Sequence, residues 1–153
     1  MANELSTAGV LVKYCAEATA GTRPTTDYTT IPNIKSTPDL NPEPSNLEVT
    51  DLSDTEWKRY IPGLKDPGGA LSFNANNTTA FQTAWATVVS AYAGLTGGKA
   101  MWFEIFVPGL TNSFFFAGIP SALGLAAMEV DAVAEVNAYI TPNQILGWAA
   151  KST

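Results

Sequence analysis

Apolar and polar residues alternate with period two from Met128 to Ile140. Met128, Val130, Ala132, Ala134, Val136, Ala138 and Ile140 share one side, and Glu129, Asp131, Val133, Glu135, Asn137 and Tyr139 share the other. That alternation predicts a long strand ending near Thr141, with an apolar face and an acidic one. The same period predicts strands at Ala70–Ala75, with Leu71, Phe73 and Ala75 on one face, and at Leu47–Thr50. Apolar runs bounded by turn residues add strands at Val10–Cys15, Ala100–Val107 and Ser113–Ile119, and a short one at Ile31–Ile34.

Between Thr79 and Ala93 the period changes. Phe81, Trp85, Val88, Val89 and Tyr92, with Ala84, fill one helical stripe. Thr79 with Gln82 three residues later reads as a capping box, and Gly94 as the C-cap. This is the one convincing helix, and its stripe is expected to pack on a sheet face. Two stretches lack either period. Residues 20–46 are crowded with Thr, Pro and Asn, including Arg23-Pro24, Ile31-Pro32 and Thr37-Pro38, which suits irregular or edge-strand chain. Asp51–Gly69 is polar and closes on Asp66-Pro67-Gly68-Gly69, a strong turn signal. Its Trp57, Tyr60, Ile61 and Leu64 gain by burial, so it reads as a long functional loop of a single domain spanning residues 1–153.

Composition changes the picture in one respect. Of 153 residues 46% are hydrophobic, but only 14% are charged, against roughly 25% in average soluble domains. A lone globule would show water a large, weakly charged surface, so burial against further subunits is expected. The net charge of −6, with eight basic residues scattered along the chain, argues against a grip on nucleic-acid phosphates. Residues 105–128 carry no charge, but Pro108-Gly109, Asn112-Ser113 and Pro120-Ser121 interrupt them, and buried strands explain the run better than a membrane span.

Candidate chemistry is sparse. The chain has no His, which removes the commonest general base and metal ligand. The single Cys15 sits in an apolar run and reads as a buried, inert thiol. Glu129, Asp131 and Glu135 line one strand face instead of opposing each other across a substrate, so a catalytic carboxylate pair is not indicated. Asp51, Ser53 and Asp54 share the start of a calcium loop without its Gly and distal Glu. Gly94–Lys99 lacks P-loop spacing. No catalytic, metal or cofactor site is expected; the N-terminus lacks the pattern of a signal peptide, and the protein is expected to stay in the cytoplasm of the cell that makes it.

The order of these elements is similar to the major tail tube proteins of long-tailed bacteriophages. A strand leads into Leu47-Glu48-Val49-Thr50 and a long charged loop; the strand Ala70–Ala75, the helix Thr79–Ala93 and a strand-rich second half follow. The resemblance implies a mainly β fold, a β-sandwich or partial barrel with one flanking α-helix. It implies virion-tail subunits, assembled in the bacterial host cytoplasm, that close into hexameric rings and stack head-to-tail. It implies tape-measure and tail-end proteins as further partners, and a bore that passes DNA without binding it. By that analogy Asp51, Asp54, Trp57, Lys58, Arg59, Tyr60 and Ile61 are candidates for contact between rings. Glu48, Glu129, Asp131 and Glu135 are candidate lumen residues. The alternatives are another ring-forming tube, a tail-terminator-like ring, and a β-sandwich carbohydrate-binding module presenting Trp57.

Overall fold

A computed structural model describes residues 4–153. Nine strands and one helix follow in the order β1 (Leu11–Ala16), β2 (Thr29–Ile31), β3 (Ile34–Ser36), β4 (Asn46–Glu48), β5 (Tyr60–Pro62), β6 (Leu71–Asn76), α1 (Thr79–Ala93), β7 (Met101–Phe106), β8 (Asn112–Pro120) and β9 (Glu135–Ala150). Seven form one antiparallel sheet in the order β2-β1-β7-β8-β9-β6-β3. It curls into a nearly closed barrel, and the fold is mainly β with one helix. The two outermost strands, β2 and β3, are consecutive in the chain. They are joined by the Pro32-Asn33 turn, where Asn33 takes φ 63°. The seam is therefore closed by continuous backbone, which leaves no long unpaired edge there.

Alternation fills the interior. Val12, Leu71, Phe73, Ala75, Met101, Phe103, Ile105, Phe116, Val136, Ala138 and Ile140 are buried in one core. Phe116 stacks on Phe73 and Phe103 at centroid separations of 6.2 and 5.3 Å. The helix lays Phe81, Trp85 and Val88 into this core, with Val89 and Tyr92 partly buried at its margin. Trp85 donates its indole N–H to the Ser121 carbonyl at 2.7 Å, so the buried ring keeps its polar atom satisfied. Each such fully buried side chain is worth about 1.5–3 kcal/mol.

The structure differs from sequence expectation at five places. The short strand expected at Ile31–Ile34 is instead the turn between β2 and β3, each of which reaches it with one residue. The helix is capped by Thr78, whose hydroxyl accepts from the Phe81 N–H; Gln82 is not part of a capping box and reaches Asn77 instead. The last strand does not begin at Met128. It starts at Glu135 and runs on through Pro142 to Ala150. Residues 128–134 have the alternation but no ladder partner. On one side the β6 ladder ends at Asn76 opposite Glu135, because the chain then turns into α1. On the other, the β8 ladder ends with Pro120 opposite Ile140. Pro142 is tolerated within β9 because it lies at a register shift beside Gly118. Asp51–Gly69 is not wholly loop: Tyr60–Pro62 returns as β5 against β4. Cys15 is half-buried rather than buried; desolvation, then the charge of Asp27, push its thiol up, which disfavours the thiolate.

Candidate assembly surface

Residues 46–62 form a two-stranded hairpin outside the main sheet, pairing Leu47 with Ile61 and Glu48 with Tyr60. Alternation places Leu47 and Ile61 on one face and Glu48 and Tyr60 on the other, and all four are exposed. An isolated two-stranded ribbon is marginal in water, so its order must come from its tip or from a covering surface.

The tip supplies part of that order. Arg59 forks onto two carboxylates, with Nε 2.8 Å from Asp54 Oδ2 and one terminal nitrogen 3.0 Å from Asp51 Oδ2. The Asp51 N–H donates to Asp54, the Ser53 N–H and hydroxyl donate to Asp51, and the Arg59 N–H donates to Thr50 Oγ1 at 2.9 Å. The two hydrogen bonds from Ser53 hold the Asp51 carboxyl below the usual range; the Asp51 N–H, then Arg59, do so for Asp54. Arg59, Asp51 and Asp54 thus satisfy one another within the chain.

Around the ordered tip, large apolar side chains stand open to solvent beside Glu56 and Lys58. Leu52 is fully exposed, Trp57 is 81% and Leu64 92% exposed, and Leu47, Val49, Tyr60 and Ile61 are also open to solvent. Of these, Leu47, Val49 and Leu52 were not among the contact candidates; the Leu47-x-Val49 alternation signals the first two, and no pattern in the sequence signals Leu52. Lys58 lies 3.9 Å from Glu48, and both are well exposed.

The candidate lumen carboxylates do not share one wall. Glu48 belongs to the hairpin, and Glu135 at the start of β9 is ion-paired with Lys35. Glu129 and Asp131 lie on the exposed connection between β8 and β9. The helix stripe serves the core: Phe81, Trp85 and Val88 are buried. Among the described residues no helix is long and apolar enough to cross a membrane. Among them also, no group of three or more His, Cys, Asp or Glu side chains is arranged to hold a metal ion.

No protein-family model matches the sequence, and no curated protein matches it. Solved structures do share the fold. One is a chain in the cryo-EM structure of the anti-feeding prophage (AFP) baseplate, 6-fold symmetrised. It aligns over 95% of both chains with a TM-score of 0.63 at 8% identity. Another is a chain in the cryo-EM structure of the anti-feeding prophage cap (AFP tube terminating cap), with a TM-score of 0.62 at 11% identity over 98% of this chain and 94% of that one. Along nearly its whole length, this chain therefore has the fold of chains found in the baseplate and cap of that particle.

Proposed function

We propose that this protein is a structural subunit of a phage-tail-like particle, and that it polymerises as hexameric rings stacked head-to-tail. The observation that carries this reading is the hairpin at 46–62. It stands outside the main sheet, its tip is ordered by its own ion pairs, and its large apolar side chains have no cover. A ribbon of that kind is completed by docking on another surface. The low charge content supports the same reading, and so does the fold shared with chains of a particle whose baseplate structure is 6-fold symmetrised. Head-to-tail contact is heterologous and can propagate into a filament. A bore built from subunits of net charge −6 repels phosphate, so DNA passes without being held.

A second reading, a ring that closes the end of a tube, is favoured by the likeness to a chain in the tube terminating cap. Negative-stain microscopy of concentrated protein separates the two, since a terminator stops at one ring and a tube subunit continues. Shortening the segment between Asp51 and Gly69 tests the hairpin directly. Tubes are expected from the intact chain and only rings or free subunits from the shortened one. Unchanged tube length and yield would remove the hairpin from the contact, and a strictly monomeric intact chain would overturn the assembly reading.

A further inference from the structure

Of the eight basic residues scattered along the sequence, three gather in space. Lys13, Arg23 and Lys151 converge on two aromatic rings on the outer wall of the sheet. Lys13 and Lys151 place their ammonium groups 4.4 and 4.2 Å from the centre of the Phe106 ring, and Arg23 lies 4.4 Å from that of Phe115. Among the described residues none of these three cations forms an ion pair, whereas Lys35, Lys58 and Arg59 do. One acid lies beneath them. Glu104 faces Lys13 across the β1–β7 ladder, but it is fully buried and its carboxylate accepts from the N–H and hydroxyl of Ser152. The wall therefore shows a net positive, aromatic-backed patch on a protein of net charge −6; its three cations are half-buried, Lys151 also donates to the Val107 carbonyl at 3.0 Å, and Nη1 of Arg23 is buried.

The complementary feature is the arm at 121–134. It leaves β8 at Ser121 and is held at its far end by the Asn77 N–H donating to the Ala134 carbonyl at 2.9 Å. Between these points Leu125, Met128, Val130 and Val133 are exposed, Val130 at 92%. Glu129 and Asp131 are exposed and have no ion-pair partner among the described residues. The other exposed acidic stretch, the hairpin, carries its own cations, Lys58 and Arg59; the arm carries none. Patch and arm also sit at opposite ends of the sheet. Phe106 closes β7 beside the start of β8, and the arm departs from the other end of β8, about 23 Å away at roughly 3.3 Å per residue.

We propose that the arm of one copy docks on the Lys13/Arg23/Lys151 patch of a second copy. Glu129 and Asp131 meet the cations, and the apolar residues of the arm cover the stems of the lysines and the rim of Phe106. Opposite charge at opposite ends makes this a head-to-tail contact, and it offsets the mutual repulsion of subunits that are each acidic. The inference rests on the self-assembly reading and adds to it a contact independent of the hairpin. It gives Glu129 and Asp131 a contact role in place of the lumen role expected from sequence.

The test uses assembled wild-type protein, made from a mixture of isotope-labelled and unlabelled subunits and treated with a zero-length carbodiimide coupler. Mixed-isotope links from Lys13 or Lys151 to Glu129 or Asp131 are expected, and they should fade as salt is raised before assembly. In parallel, E129Q/D131N removes both charges and keeps at 131 a residue that tolerates the φ of 59° found there, so its melting should match wild type while assembly falls at least tenfold in yield. Wild-type yield from that variant, or assemblies free of those links, overturns the arm contact and leaves the assembly reading standing. Failure of the wild-type chain to assemble at all overturns the assembly reading, and this contact with it.

Discussion

At Gly118 the strand β8 comes so close to β9 that a single added carbon has no room. A Cβ there would lie 2.7 Å from Ile140 Cγ2 and 2.8 Å from the Thr141 carbonyl oxygen, and the latter is backbone that cannot swing aside. Gly118→Ala is therefore expected to destabilise the barrel by about 1–3 kcal/mol, read as a shift of the urea midpoint. At the hairpin tip, Asp51 and Asp54 titrate below the usual carboxylate range because the folded tip hydrogen-bonds their charged forms. A depressed folded pKa means the contribution is present above the unfolded value and is lost as pH falls through the folded one. Backbone order at residues 50–59, measured by NMR relaxation on dilute protein, should fall on acidification to about pH 2, with the ordinary carboxylate value near 3.9 as reference. Arg59→Ala should produce the same loosening at neutral pH. The sequence marked Asp51, Asp54 and Arg59 as candidates for contact with a neighbour, and the structure occupies them with each other. Spacing shows which charges are near in sequence, but not which of several partners each will take.

At the scale of single elements, the helix illustrates both what a pattern carries and what it leaves open. Its extent, Thr79–Ala93, and its buried stripe follow directly from the spacing of Phe81, Trp85 and Val88. Its cap does not, because Asn76-Asn77-Thr78-Thr79 offers four capping side chains in a row. The choice falls on Thr78, whose hydroxyl accepts from the Phe81 N–H and also donates to Asn33 Oδ1 at 2.9 Å, tying the helix to the seam turn. Thr78→Ala should cost about 1 kcal/mol, whereas Thr79→Ala, at an exposed first-turn position, should change the thermal midpoint little. The arm at 121–134 shows the opposite limit. Its alternation is as regular as that of any strand here, but strand formation needs a neighbour to bond to, and the ladders of β6 and β8 both stop before it. In β9 the reverse happened. Pro142 and Asn143 read as an ending, yet the strand continues because the proline falls where the register shifts.

For the molecule as a whole, the mainly β class, the lone helix and most strand positions were legible, because each rests on periodicity within a few residues. The seven-strand order and the gathering of Lys13, Arg23 and Lys151 were not, since both depend on pairings between distant segments. The division between barrel and hairpin bears on the loop-shortening experiment. β4 and β5 take no part in the main sheet, so trimming the segment between Asp51 and Gly69 should leave the thermal midpoint of dilute, unassembled protein unchanged while removing tubes.

The pairing of β1 with β7 aligns Leu11 with Phe106, so the central strand of the N-terminal half has no permanent neighbour on that side until most of the chain exists. At about 5–20 residues per second, a ribosome needs roughly 5–20 s to deliver it. During that interval every nascent copy carries an open β edge close to others made from the same message. Early pairing of β1 with the short β2, across the connection at 17–28, covers only its other edge, so the edge that awaits β7 stays open for the whole of that interval.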